Sequence, residues 1–172
     1  KIDLSYTVNY LEKDTENAVA TAKVVHGQTF DADVTEQAID VDGYNKVDPT
    51  EASIKISDGE NVINFYYTKK SDLGYKVNYL EKNTDKVLAE QKNVSGKTFD
   101  EVIKAADEVI SIDGYNYNSV DKDSIRITTG ENIINIYYVK RKDLSYKINY
   151  LEKDTNAVLR AQKAVSEVEF DT

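Results

Sequence analysis

The chain has 172 residues, a net charge of −9, and neither cysteine nor methionine. Without Cys there is no disulfide and no thiolate metal site, which argues against a disulfide-stapled secreted module and is compatible with a bacterial surface protein. An acidic chain lacks the cationic footprint that nucleic acid or an anionic membrane demands.

No run approaches the roughly 18 apolar residues of a membrane span, and no signal peptide opens the chain. With Lys1 in first place, the sequence is expected to be an excised or processed piece, its targeting elements lying elsewhere. The basic clusters Lys69-Lys70 and Lys140-Arg141-Lys142 read as solvated linkers.

The first element opens at Leu4. Tyr6, Val8 and Tyr10 alternate with Thr7, Asn9 and Leu11, a period of two that predicts a strand. Asp14-Thr15-Glu16-Asn17 supplies turn chemistry, because Asx and Thr side chains bond their own backbone. A second strand over Val19–Val25 completes a hairpin that Gly27 ends.

Between Thr29 and Ile39 the period changes. Val34 and Ala38 stand four apart, and Val102, Ala106 and Val109 keep helical spacing, so a short helix is predicted in each repeat. Thr98 and Glu101 have the spacing of a capping box; the first repeat has Ala32 there and keeps only acidic residues for the helix dipole. Gly27 to Gly43 spans 16 positions and Gly96 to Gly114 spans 18, which places two extra residues in or beside the second helix.

After the turn at Asp42-Gly43-Tyr44 come a strand near Ser53–Ile56, a turn at Ser57-Asp58-Gly59-Glu60 and a last strand over Val62–Thr68. That last strand is apolar on both faces and is expected to be central in its sheet. Tyr44 and Tyr115, each directly after a Gly, are expected to plug the core.

The layout then returns. The run from Tyr6 to Thr15 reappears from Tyr75 and from Tyr146, and Leu4, Leu73 and Leu144 open units 69 and 71 residues apart. A period near 70 exceeds the roughly 20–50 residues of solenoid repeats, so each unit should own a small core. The expected units are residues 1–72, 73–143 and 144–172, the third holding only the hairpin.

Each full repeat reads as α+β, one short helix over a mixed sheet. Five residues separate Tyr67 from Leu73 and Tyr138 from Leu144, without Pro, so a stiff, elongated rod is expected. The third unit has Glu167 in place of Gly27 and Gly96. A lone hairpin is marginal in water, so its order is expected to depend on packing against the second repeat or another chain.

No catalytic, metal or cofactor residue is assigned, and the chain is read as no enzyme. His26 is the one histidine, too little for a triad or an imidazole metal centre. Asp31, Asp33, Asp40 and Asp42 lack the order of a calcium loop and read as helix-end charges and turn residues. Glu12, Glu81 and Glu152 each precede Lys at a hairpin turn, which favours surface ion pairs over a glycosidase carboxylate pair.

Asn9, Asn78 and Asn149 sit inside strands, a disfavoured place for Asn, and are expected to bond neighbouring turns. Most of the 13 Tyr and 4 Phe alternate along strands and are assigned to the core. Tyr117, whose counterpart is Lys46, is the ligand-binding candidate. An exposed Tyr stacks on a sugar ring and hydrogen-bonds through its hydroxyl.

The Tyr-x-Val-Asn-Tyr-Leu-Glu-Lys-Asp-Thr run, the Lys-x-Val-x-Gly of Lys92 to Gly96, the Asp-Gly-Tyr turn and the closing Glu131 to Tyr138 run together resemble mucin-binding-protein (MucBP) type repeats. The resemblance covers both full repeats and the start of the third. It implies tandem β-grasp, ubiquitin-like domains in a wall-anchored adhesin of a Gram-positive bacterium. It also implies adhesion to mucin or another host glycoprotein, extracellular and cell-wall-attached, with the anchor outside this piece.

Two functions follow. One is a non-enzymatic adhesion region, and the other a structural spacer that projects a distal adhesive or enzymatic domain from the wall. Self-association through sheet edges is a third. The expected partners are neighbouring repeats and a glycoprotein, with no cofactor, nucleic acid or membrane insertion.

Overall fold

The computed structural model describes residues 2–171. Lys1 and Thr172, where the expected first and third repeats begin and end, lie outside the described residues. Two units are found. The first gathers Lys1–Gly74, Ser95–Glu101 and Arg126–Glu131, and the second Tyr75–Val94, Val102–Ile125 and Asn132–Thr172. The last three residues of the second hairpin and the four that follow them, Ser95–Glu101 together, thus belong with the first unit.

In the first unit the elements are β1 (Leu4–Glu12), β2 (Ala18–Gln28), β3 (Asp33–Gln37), β4 (Tyr44–Lys46), β5 (Glu51–Lys55) and β6 (Val62–Lys69). The main sheet has the order β2-β1-β6-β4. β1 runs antiparallel to β2 and parallel to β6, with Tyr10 opposite Phe65. The alternation places Tyr6, Val8 and Tyr10 on one face with Ile63, Phe65 and Tyr67, and all six are buried. The Tyr10 and Phe65 rings stack with centroids 6.3 Å apart.

Side chains of the β3–β5 ribbon cover this face, Val34, Ala52 and Ile54 packing on the cluster beside buried Ala38 and Ile56. A parallel pair needs a long crossover, usually a helix; here the ribbon fills that place.

The second unit repeats the plan with β7 (Leu73–Glu81), β8 (Val87–Lys97), β9 (Val102–Lys104), β10 (Tyr115–Val120), β11 (Ser124–Arg126) and β12 (Ile133–Lys140), followed by the hairpin β13 (Leu144–Leu151) and β14 (Val158–Val168). Its main sheet is β10-β12-β7-β8, with β9 and β11 paired separately. β13 and β14 pair in the register of β1 and β2, Tyr146 opposite Val165 as Tyr6 is opposite Val25. Glu167 takes the left-handed backbone, φ 58°, that Gly27 and Gly96 take at 73°. Tyr146 is 50% exposed where Tyr6 is 7%.

The expected α+β, β-grasp class with a helix in each repeat is overturned. Strands make up 59% of the described residues and helix 2%. The predicted first helix is strand β3, and the second is β9 followed by a four-residue 3-10 turn, Ala105–Glu108.

The physical reason is a carboxylate at an inward position. Val34 and Glu36 both point inward along β3, but Glu36 hides the alternation because it is polar. It accepts from the Tyr6 hydroxyl at 2.6 Å and pairs with Lys23 at 2.7 Å. In the second unit Glu108 does the same with Tyr75 at 2.7 Å and Lys92 at 2.6 Å.

Tyr75 and Lys92 are the counterparts of Tyr6 and Lys23 at the 69-residue offset, whereas Glu108 lies three positions beyond the counterpart of Glu36. The longer second segment coils into a 3-10 turn and still delivers a carboxylate to the same Tyr and Lys. The Thr98–Glu101 capping signal is also real, but it closes a turn. Glu101 Oε2 accepts from the Thr98 N–H at 3.1 Å and the Glu101 N–H donates to the Thr98 carbonyl at 3.1 Å, and the chain then continues as β9.

The Lys23 and Tyr6 hydrogen bonds hold the Glu36 carboxyl below its usual value of 4.5. A depressed carboxylate contributes stability that is present above the unfolded value and lost as pH falls through the folded one. The first unit is therefore expected to lose stability as pH drops below about 4.5, with part of that loss removed in Glu36→Gln. Denaturant midpoints from pH 7 to pH 3 check this, and an unchanged slope in the variant would contradict it.

Candidate functional site

Gly43 and Gly114 follow an Asp at the end of an extended stretch, and each adopts a left-handed backbone, φ 81° and 75°. A side chain there meets strain from Cβ against the following carbonyl, so Gly is the natural occupant. Both glycines are buried, and in each case an aromatic ring covers them. A Cβ built on Gly43 would lie 2.5 Å from the Phe99 ring, and one on Gly114 would collide with Phe170.

Backbone hydrogen bonds fix the approach. The Lys70 N–H donates to the Gly43 carbonyl at 2.9 Å, and the Phe99 N–H donates to the Lys70 carbonyl at 2.8 Å. The second unit repeats the relay, from Arg141 to Gly114 at 2.9 Å and from Phe170 to Arg141 at 2.9 Å. Each Phe meets the Tyr after the Gly edge to face: Tyr44–Phe99 at 5.6 Å and 62°, Tyr115–Phe170 at 5.7 Å and 66°. Burial raises the Tyr44 phenol above its usual pKa.

The turn that presents Phe99 is itself anchored. Asp100 takes φ 66° and its N–H donates to the Ile127 carbonyl at 2.8 Å, while Lys97 pairs with Glu101 at 2.8 Å. The Thr129 hydroxyl donates to Asp42, the residue before Gly43, at 2.7 Å. The product is a socket, a Gly floor with a Tyr wall, closed by a Phe.

The structure places the sequence candidates elsewhere. Tyr117 lies on β10, the edge strand, 49% exposed, with its ring edge to face on buried Tyr138 at 6.3 Å. Strand alternation puts Asn116 on the opposite face, and it lines a shallow cleft of about 690 Å³ with Lys142, Asp143 and Glu167 that does not include Tyr117. A second cleft of about 390 Å³ is lined by Lys82, Lys86, Lys140, Lys142, Glu81 and Glu169 among others.

His26 is exposed on β2. Asp31 and Asp33 share Lys55 at 3.7 and 3.0 Å, and Asp40 pairs with Lys46 at 2.9 Å.

Two expectations change. Glu12 and Glu81 accept from the hydroxyl of the Thr three residues on, at 2.8 and 2.9 Å, and Glu152 accepts from Thr155 likewise; these bonds close the hairpin turns. Asn9 and Asn78 bond not turns but their partners across the parallel pair, Asn64 at 2.9 Å and Asn135 at 2.8 Å. Asn149 accepts from Gln162 at 2.6 Å.

Sequence reasoning passed over Phe99 and Phe170, because a single aromatic in a turn has no periodicity. The available signal was the Phe-Asp pair recurring as Phe30-Asp31, Phe99-Asp100 and Phe170-Asp171.

No family model matches the chain, and no curated protein does. Among solved structures it is similar to the crystal structure of Mub-RV, at 12% identity over 80% of this chain and 98% of that one, with a TM-score of 0.26. It is also similar to the Streptococcal High Identity Repeats in Tandem (SHIRT) domains 3-4 from a cell surface protein, at 9% identity over 79% of this chain and 98% of that one, with a TM-score of 0.29. What the chain does is therefore argued from its own residues.

Gly27 also has positive φ, but a Cβ there meets nothing within 4 Å. Gly27→Ala is expected to cost only the backbone strain of about 1–2 kcal/mol. Gly43→Ala should cost a further roughly 1–3 kcal/mol of overpacking against Phe99. Denaturant unfolding of both variants checks the difference; equal losses would contradict the socket.

Proposed function

We propose that the chain is a non-enzymatic repeat region of a bacterial cell-surface adhesin, and that its repeats act there as a structural spacer. The observation that supports this is the socket made twice, with the same Gly carbonyl, linker residue and Phe amide each time. The linker residues Lys70 and Arg141 lie in the basic clusters that looked like plain solvated linkers, and their backbones carry the relay. A chain that spends its turn glycines, its linker and its turn aromatics on one recurrent joint is equipped to continue itself. The MucBP-like runs support the surface setting, extracellular and attached to the wall.

A second reading, adhesion to mucin or another host glycoprotein, is favoured by Tyr117. Half of its surface is open on an edge strand, where the first unit has Lys46, and tandem copies would multiply a weak contact. Its other half leans on Tyr138, which supports a role in the sheet instead.

A binding panel of mucins and glycans on the 172-residue chain separates the two. The spacer reading expects no saturable binding to any member. Saturable binding that Tyr117→Ala abolishes, with thermal unfolding unchanged, would establish adhesion in its place.

A further inference from the structure

Three residues stand at the plug position. Phe99 and Phe170 are part-buried in their sockets, and Phe30, their counterpart, is 48% exposed. Nothing about the turn under Phe30 is unformed. Asp31 takes φ 68°, as Asp100 takes 66° and Asp171 takes 58°. The Asp31 N–H donates to the Ile56 carbonyl at 2.8 Å, as Asp100 does to Ile127 at 2.8 Å. Lys55 reaches the Asp31 carbonyl at 3.3 Å, as Arg126 reaches that of Asp100 at 3.4 Å.

An apolar ring held out to water by a preset turn loses the hydrophobic stabilisation its counterparts gain, on the order of 25 cal/mol per Å².

We infer that Phe30 is the free plug of a further joint, and that it fits the Gly–Tyr turn of another repeat of this kind lying ahead of β1. The partner's chemistry is read from Phe99 and Phe170. It needs a glycine at positive φ with no Cβ, a tyrosine directly after it to meet the ring edge to face, and a linker residue between the two repeats whose N–H bonds the Gly carbonyl and whose carbonyl accepts the Phe30 N–H. A second copy of this chain does not offer that. Its two Gly–Tyr turns are already filled by Phe99 and Phe170, so it could take Phe30 only by displacing one of them. The inference rests on the array reading above and extends it from the joints present to the surface that accepts the next.

The chain contains no Trp, so one indole reports one plug. The test compares Phe30→Trp and Phe99→Trp in the 172-residue chain with Phe30→Trp in a lengthened chain. In that chain a copy of residues 1–72 precedes Leu4, its Ser71-Asp72 leading into Leu4 as Ser71-Asp72 leads into Leu73 here.

In the 172-residue chain, the indole at position 30 is expected to emit at a solvent-exposed wavelength and to be readily quenched by iodide. The indole at position 99 should be blue-shifted and several-fold less quenched. In the lengthened chain the indole at position 30 should take on the properties seen at position 99, and Gly43→Ala in the added copy should re-expose it.

An indole at position 30 that stays exposed, beside a protected one at position 99, would overturn the inference while leaving the existing joints intact. Protection that survives Gly43→Ala, or an added copy whose amides exchange as an unfolded chain, would overturn it too. An indole at position 99 that proves fully exposed would overturn the socket itself, and with it the array reading.

Discussion

The interaction that recurs in both units and draws distant stretches of each together is a short backbone relay. A glycine carbonyl accepts from the linker N–H, and the linker carbonyl accepts from the N–H of a phenylalanine that lies over the same glycine. The relay works only with a glycine there, because the ring occupies the space of a Cβ and the backbone is left-handed. It also ties three stretches far apart in sequence, Gly43, Lys70 and Phe99. Hydrogen bonds of this kind contribute about 1 kcal/mol each in water. Their value here is direction, since they set where the ring lands and leave the aromatic contact and buried area to hold it.

Behind the socket stands a sheet whose centre is a parallel pair. β1 and β6, and β7 and β12, each bury one face of alternating aromatic and aliphatic side chains. The opposite face carries the Asn9–Asn64 and Asn78–Asn135 amide pairs, so each of these four Asn bonds its partner in register. A small core of this kind needs its second layer to be dense. That layer comes from a ribbon or a 3-10 turn according to the length available, and in both units a carboxylate ties it to a Tyr and a Lys of the hairpin. The same tie built on different backbones indicates that the three-group contact, and not the local conformation, is what the fold requires.

Much of this was legible in the residues. Tyr6, Val8 and Tyr10, and Ile63, Phe65 and Tyr67, announce their strands by period two, and the central place of β6 follows from its two apolar faces. The segment between them departs from its helical pattern for a definite reason. Glu36 and Glu108 occupy inward positions, so a hydrophobic pattern does not register them, and the Thr98–Glu101 signal that begins many helices here closes a turn. Tyr44 and Tyr115 were expected to plug the core; they form the walls of a socket that Phe99 and Phe170 plug. Nothing in local periodicity marks those Phe residues, because their partner is a glycine more than fifty positions earlier in the chain. Only their recurrence at equivalent places reveals them.

The relay is expected to be formed and to hold in solution. Amide hydrogen exchange at Lys70, Phe99, Arg141 and Phe170 reads it directly, because each of these N–H groups is a donor in one of the two relays. All four are expected to exchange slowly, with protection comparable to the edge pairs of the main sheets. Exchange at Phe99 and Phe170 as fast as in an unstructured peptide would contradict it.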